Sequence, residues 1–347
     1  MKTSASPFLL KVKLTVFASL IFLAGCQLKQ NTDLYSILWG GDTLLDDSAQ
    51  ELLDEHGYIW PLEHLTSLLE ADFAILNQEG PITTKPEPWD TDRRWSYKAQ
   101  PESAEALAQV GFDAVSLANN HTYDRGPDGI NDTIQYLQDA GIETFGAGMN
   151  QDQAEAPLLI ETPYGIVGVV GLSYVPDEYY IAAEVKAGTI ELSTESIEKG
   201  YELARSAGAD WVVGYVHWGT NYHEVTDNQL FFAWDFARTG YDLVIGHGPH
   251  HEQPVMIIDG TPVIFSLGNF VFGTEGRFDE EFRGFGLIVT SYLNESGFEK
   301  LVFQCIQTDN DYVNYQPRPC TLEQSATVLG KLHRDIIIED GLGLLYW

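Results

Sequence analysis

Five apolar runs in this chain end abruptly in residues that bind cations, and no other feature narrows the possible folds as much. Residues 34–39 lead to Gly40, Gly41 and Asp42, residues 73–76 to Asn77, Gln78 and Glu79, and residues 114–117 to Asn119, Asn120 and His121. Residues 211–216 stop at His217, and residues 242–245 run into Gly246, His247, Gly248, Pro249, His250 and His251. Segments with apolar residues three and four apart separate the early runs. They include Leu62, Leu65, Leu68 and Leu69, then 104–110 and 129–140, and such spacing predicts helices packed on one face. Strand, helix, strand, helix in succession signals parallel βαβ units. Sheets of this kind bind ligands beyond the carboxyl ends of their strands, where each of these polar residues falls.

The second half alternates less regularly. Runs at 157–161 and 166–172 flank Tyr164 and Gly165, and runs at 255–258 and 263–267 flank Asp259 and Gly260, both hairpin signals. Helical patterns cover 194–207, 229–238 and 322–334, while 284–316 reads as β structure. Residues 83–98 carry Trp89, Arg93, Arg94, Trp95 and several prolines, and suggest a loop lying over the site. No repeat or break in composition calls for a second domain. The expectation is one α/β domain over 34–320, with a helix and tail over 321–347 packed on it. The length of 347 residues, 44% of them hydrophobic, supports a core of that size.

Residues 1–25 are set apart from the fold. Lys2, Lys11 and Lys13 surround the start of an apolar stretch over 14–23 that is short for a bilayer-spanning helix, as in a secretion signal. Leu23, Ala24, Gly25 and Cys26 resemble a bacterial lipoprotein cleavage box. That resemblance implies lipid on Cys26, a polar tether over 26–33 and membrane attachment in the cell envelope, with Gln27 pointing to the periplasmic face of the outer membrane. In an exported protein Cys305 and Cys320 can pair as a disulfide or remain two buried thiols. The formal net charge is −32, from 51 acidic and 19 basic residues. This argues against nucleic acid as a partner, since phosphate binding needs a basic footprint. It suits a highly soluble surface, or a carboxylate-rich cleft neutralised by metal cations.

Carboxylate, amide oxygen and imidazole together favour Mn, Fe or Zn. Two such ions about 3.5–4 Å apart activate water and clamp both oxygens of a displacement. A single Gly-Asp is an ordinary turn and a lone histidine an ordinary packing residue, but six or seven donors at successive strand ends argue for convergence.

These motifs stand in a recognisable order. Gly41-Asp42, Asn77-Gln78-Glu79, Ala118-Asn119-Asn120-His121 with Asp124 and Gly126, His217-Trp218-Gly219, Gly246-His247-Gly248-Pro249-His250 and Ser266-Leu267-Gly268-Asn269-Phe270 resemble the CapA family over roughly residues 34–275. That family is named for poly-γ-glutamate capsule synthesis and is similar to the calcineurin-like metallophosphoesterases. The resemblance implies a four-layer α/β/β/α sandwich with a dinuclear metal site at one edge between two sheets. It implies Asp42 on the first metal, Glu79 bridging both, Asn119, His217 and His247 on the second, and His250 returning to the first. His121 would protonate a leaving-group oxygen, with Asp124 orienting its imidazole.

Three positions depart from the pattern. Leu44 occupies the place of a histidine usual in the superfamily, which leaves the first metal short of a ligand. Gly248 replaces a second histidine of the family run, so His247 and His250 are the working pair and His251 lies outside. Asn221 stands where glutamate is frequent. Arg93, Arg94 and Arg125 are the nearest cations for an anionic substrate group. Asn269 and Ser266 would contact ligands or substrate, or brace the turn, and Trp218 and Phe270 read as packing. Two functions follow. One is a lipid-anchored, metal-dependent phosphoesterase or related hydrolase of the envelope. The other is a non-catalytic part of capsule-polymer synthesis or export, working with other synthesis proteins and binding the anionic polymer through a metal-containing pocket.

Overall fold

Four strands are set in place by one device. Asp72, Asp113, Asp210 and Asp242 each stand just before a strand, and each carboxylate accepts an N–H at the start of the neighbouring strand, from Ser36, Ala74, Ile166 and Val212 at 2.8–2.9 Å. The same four aspartates donate their own N–H to the carbonyls of those residues. This double link fixes the parallel register of Tyr35–Leu44 with Phe73–Gln78, of Phe73–Gln78 with Ala114–Ser116, of Gly165–Ser173 with Trp211–His217, and of Trp211–His217 with Leu243–His247.

The computed structural model describes Met1 and residues 34–175, 178–275, 278 and 284–347. Apart from Met1, the expected leader over 1–25, Cys26 and the tether lie outside them. Among the described residues no helix is long and apolar enough to cross a membrane. Leu34–Trp347 forms one compact unit.

Alternation along the strands then builds the layers. Ile37 and Trp39 face a core shared with Val167, Val169, Val213, Tyr215, Leu243 and Ile245, so the two large sheets pack face to face. Leu38, Ala74, Leu76 and Val115 point the other way, onto Ala104, Leu107 and Leu137 of the helices Glu102–Gln109 and Gly126–Asp139. On the far side Val170, Val212, Val216 and Val244 meet Ile197, Ala204, Ala233 and Phe236 of the helices Thr194–Ser206 and Asp227–Thr239. The result is the expected α/β/β/α sandwich. The antiparallel strands Phe285–Asn294, Gly297–Gln307 and Leu342–Tyr346 widen the first sheet, and the helix Leu322–Leu332 covers its inner face through Val328, Leu329 and Leu332. Cys305 and Cys320 are joined as a disulfide.

Two local expectations need correction. The leucines at 62–69 do not form one helix. A short helix over Gln50–His56 ends at Gly57, whose φ is +86°, and Pro61 lies inside the first of two 3-10 turns, Trp60–Leu62 and Thr66–Leu68. The first strand also does not stop before Asp42. It shifts register between Trp39 and Asp42 and continues to Leu44, because Asn269–Phe272 crosses from the end of the second sheet and pairs beside it. Gly41 permits this approach, since a Cβ there would stand 1.9 Å from the Gly268 carbonyl oxygen.

Candidate metal centre

The carboxyl ends of five parallel strands, three from one sheet and two from the other, meet at one edge of the sandwich. Asp42 lies opposite Asn77 in the first sheet, and His217 opposite His247 in the second. Asp42 is fully buried. Its Oδ1 accepts from Asn77 Nδ2 at 2.9 Å, and its Oδ2 from the Gly248 N–H at 3.1 Å. Gly248 has a φ of +113°, and a Cβ there would meet the Trp218 carbonyl oxygen at 2.6 Å, so the position takes glycine and the histidine run is broken. His247 Nδ1 and His217 Nδ1 stand 3.3 and 3.9 Å from Asp42 Oδ1, and His250 Nδ1 stands 3.2 Å from Oδ2. Burial pushes the Asp42 carboxyl up, but hydrogen bonds from His247 and His250 and the charge of their rings together outweigh it. They hold the group well below the usual carboxylate range.

Two sets of ligand atoms converge. Asp42, His217 and His247 form one, and Asp42, Glu79 and His250 the other, with the atoms of each set within 4.8 Å of one another. Asp42 is thus the carboxylate common to both sets, a place the sequence reading gave to Glu79. Among the described residues both Glu79 carboxylate oxygens and His247 Nε2 are buried with no hydrogen-bond partner. Burial, reinforced by the charge of Asp42, pushes the Glu79 carboxyl well above its ordinary range. A buried carboxylate left without donors is strongly disfavoured. Two ligands each about 2.1 Å from one ion stand roughly 3–3.5 Å apart, close to the 3.2–3.9 Å spacings around Asp42. The donor set fits a divalent cation.

The histidines are held from behind. His250 adopts a left-handed backbone, φ +66°, which is uncommon outside glycine. Its Nδ1 lies 3.0 Å from Asn269 Oδ1, so Asn269 positions a ring and is not placed as a substrate contact. Burial pulls the His250 imidazole down, yet the charge of Glu79 and the bond and charge of Asp42 raise it to about 9. Burial dominates at His217 and drives its imidazole well below the usual value. The Tyr215 ring packs 4.6 Å from that of His247. His251 turns away, with Nε2 2.9 Å from the His223 carbonyl oxygen.

Asn119 sits in a hydrogen-bond network beside the two donor sets. Its Nδ2 donates to Asn77 Oδ1 at 3.0 Å and to the Gln78 carbonyl at 2.8 Å, while its Oδ1 accepts the His121 N–H at 3.0 Å. A relay of amides therefore runs from the His121 backbone through Asn119 and Asn77 to Asp42. Since the carboxylate only accepts, the direction of each amide is determined. In this arrangement Asn119 links the strands and aligns Asp42, with its oxygen turned to the His121 backbone.

His121 closes the group. Its Nδ1 is 2.8 Å from Asp124 Oδ2, and its Nε2 is 3.8 Å from Glu79 Oε1. Asp124 also accepts the Tyr97 N–H at 2.7 Å and pairs with Arg93 Nη1 at 2.9 Å. Burial lowers the His121 imidazole despite Asp124. Nδ1 lies nearer the Asp124 carboxylate, at 2.8 Å, than Arg93 Nη2, at 3.3 Å, so the closer acceptor favours a proton on Nδ1, and Nε2 is the atom directed at the carboxylates.

Two lobes of a cleft open here. One, of about 170 Å³, is lined by Arg93, Arg94, Trp95, His121, Tyr222 and His250, among others. The other, of about 260 Å³, is lined by Tyr174, His217, Trp218 and Gly248, and Asn120 and Asn221 border both. Arg125 does not serve this cleft as expected. Its guanidinium donates to Ser96 Oγ at 2.5 Å and to the Asp124 carbonyl at 3.1 Å, bracing the loop that carries Tyr97. Leu44 packs with Tyr97 and Phe272. Ser266 braces its turn by accepting from the Gly268 N–H, and Trp218 and Phe270 are buried packing residues. Asn77 and Tyr97 had no role in the sequence reading. Asn77 could have been found from its place beside Asp42 in parallel register, whereas Tyr97, in a loop without periodicity, carries no such signal.

Comparison with known proteins agrees with these motifs. The chain is 26% identical over 243 residues to the PGA biosynthesis protein CapA of Bacillus subtilis, covering 69% of this chain and 64% of that one. It is 28% identical over 313 residues to a probable polyglutamine synthesis accessory protein of Mycobacterium tuberculosis H37Rv, covering 75% and 81%. The chain spans 64% and 58% of the lengths of the CapA proteins of B. subtilis and Bacillus anthracis. Among solved structures, Haemophilus influenzae NAD nucleotidase superposes with a TM-score of 0.46 at 10% identity, covering 76% of this chain and 54% of that one, a likeness too remote to argue from. The model of the bacterial capsule synthesis protein family PGA_cap matches residues 36–274, most of the chain, and the protein belongs to that family.

Proposed function

We propose that the protein is a metal-dependent hydrolase of the bacterial envelope that cleaves a phosphoester, or a related ester, in the course of capsule-polymer metabolism. The observation that carries this reading is the pair of donor sets sharing Asp42, with the unpartnered Glu79 carboxylate in one of them and the His121–Asp124 pair alongside. Asp42, His217 and His247 would hold one divalent cation (Mn, Fe or Zn), and Asp42, Glu79 and His250 a second. Bound there, the cations supply positive charge that polarises an ester oxygen and makes nearby water more acidic. With one proton held on Nδ1 by Asp124, His121 would act as the acid in its imidazolium form, whose Nε2–H passes its proton to the leaving oxygen and leaves a neutral ring protonated on Nδ1. Arg93 holds Asp124 in place from its other oxygen. The closed amide relay keeps Asp42 from rotating out of the cluster. Cys26 is proposed to anchor the protein by lipid to the envelope membrane, at the periplasmic face of the outer membrane, beside other capsule synthesis proteins.

The test is turnover of a generic phosphomonoester and a phosphodiester by the Mn²⁺-loaded protein. His121→Ala should lower kcat by about 10²–10⁴, the usual contribution of a general acid, while metal content is retained. Equal rates for His121→Ala and wild type would refute the assignment.

A second reading has its own support. Leu44 fills the position of a superfamily ligand with an apolar side chain packed under Tyr97 and Phe272. A centre with fewer ligands would suit binding of a polyanionic chain without cleavage. Metal-dependent binding of poly-γ-glutamate with no hydrolysis of any ester would favour that alternative.

A further inference from the structure

The lobe of the cleft above His121 and His250 carries two adjacent arginines in different electrical states. Arg93 is neutralised, since Nη1 pairs with Asp124 Oδ1 at 2.9 Å and Nη2 donates to the Asn120 carbonyl at 2.8 Å. Arg94 is not. Its guanidinium carbon lies 4.2 Å from the centroid of the Trp95 ring, and among the described residues no carboxylate comes within 4.0 Å of its nitrogens. Stacking on an indole holds the planar group in place and leaves its N–H edge available, where a lysine would have a mobile point charge. In a chain with 51 acidic and 19 basic side chains, a cation facing a cleft with no carboxylate beside it among the described residues is unusual. Tyr222 and Phe272 line the same lobe, and His121 and His250 lie on the side toward the carboxylates.

We propose that Arg94, stacked on Trp95, is a specificity residue that binds an anionic group of the ligand standing apart from the group held at the Asp42 centre. The ligands it selects carry at least two anionic groups, a phosphate or carboxylate at the centre and a second carboxylate or phosphate under Arg94. This rests on the proposed function in one respect, that the centre with its divalent cation binds an anion. Arg93 cannot substitute, because its guanidinium is engaged by Asp124 and Asn120. The exposed position of Arg94 means that its replacement leaves the sandwich intact.

The experiment is calorimetric titration of the Mn²⁺-loaded protein and Arg94→Gln with three probes. Inorganic phosphate offers one anionic centre, phosphoglycolate offers phosphate and carboxylate, and tri-γ-glutamate offers carboxylates only. Arg94→Gln should weaken phosphoglycolate about tenfold, the worth of one charge-assisted contact, and leave phosphate within about twofold. Arg94→Lys should restore part of the loss. Equal effects on phosphate and phosphoglycolate, or no effect on either, overturn the assignment of Arg94 while leaving the metal centre standing. If phosphate fails to bind wild type and tri-γ-glutamate still loses affinity in Arg94→Gln, the metal reading falls and Arg94 stands. Binding of none of the three removes both.

Discussion

Replacing Glu79 by glutamine should reverse its effect on stability according to whether a divalent cation is present. Without metal, wild type carries a carboxylate with two buried oxygens and no donor, beside the buried Asp42. Glutamine keeps the shape and removes the charge, which should stabilise the metal-free protein by roughly 1–2 kcal/mol. The unit from Leu34 to Trp347, roughly 310 residues, unfolds with an entropy of about 0.65 kcal/mol per degree. The variant should therefore melt about 2–3 °C above wild type. With Mn²⁺ at about a hundredfold over its Kd, wild type gains about 2.7 kcal/mol, or about 4 °C. Having lost a ligand, Glu79→Gln should gain about 1 °C or less under the same conditions, so the order of the two melting points inverts.

The metal-free difference also depends on pH. The folded-state pKa of Glu79 is raised, so the folded protein keeps a proton that the unfolded chain loses near the ordinary glutamate value of 4.5. Wild-type stability should fall as pH rises from that value toward the folded pKa, and the advantage of Glu79→Gln should appear over the same interval. Differential scanning fluorimetry from pH 4 to 8, with EDTA and with Mn²⁺, reads both effects. A variant less stable than wild type in EDTA, or one gaining as much from Mn²⁺, would refute the reasoning.

Two further perturbations follow from the packing. Gly41→Ala places a methyl 1.9 Å from the Gly268 carbonyl oxygen and must separate Asn269–Phe272 from the first strand. It should weaken Mn²⁺ binding at least tenfold by displacing Asp42 and Asn269 together, and unchanged affinity in a titration would contradict the role given to that strand crossing. The Cys305–Cys320 bond closes a separation of 15 residues, which in the chain-entropy model stabilises by about 3 kcal/mol. Cys305→Ser with Cys320→Ser should lower Tm by about 4–5 °C while leaving metal content unchanged, and a loss below about 1 °C would count against that estimate.

Much of the site was legible in the sequence because parallel strands place their carboxyl ends at one edge. A run such as Val212–Val216 ending in His217 therefore announces both a strand and a site. The layers were legible for a related reason: Ile37, Leu38 and Trp39 are all apolar, as a strand buried on both faces requires. What could not be read depended on neighbours distant in sequence. Asn119 reads as a ligand in sequence, but nothing local shows that Asn77 and Gln78 take its amide nitrogen and that its oxygen accepts from the His121 backbone. Arg125 and Arg93 look equivalent in sequence, yet Ser96 holds one away while Asp124 keeps the other at the cleft. Nor does any local pattern mark the strand crossing after Gly268 that carries Asn269 to His250. The leucines at 62–69 misled because helical spacing says nothing of the turn that Gly57 imposes upstream.

Metal content tests the central claim most directly. Purified protein would be loaded with Mn²⁺, dialysed against metal-free buffer and analysed by inductively coupled plasma mass spectrometry, beside Asp42→Asn treated identically. With Asp42 common to both donor sets, wild type should retain between about one and two equivalents and Asp42→Asn almost none. Equal retention by the two proteins, or none by wild type with Mn²⁺, Fe²⁺ or Zn²⁺, would contradict the account.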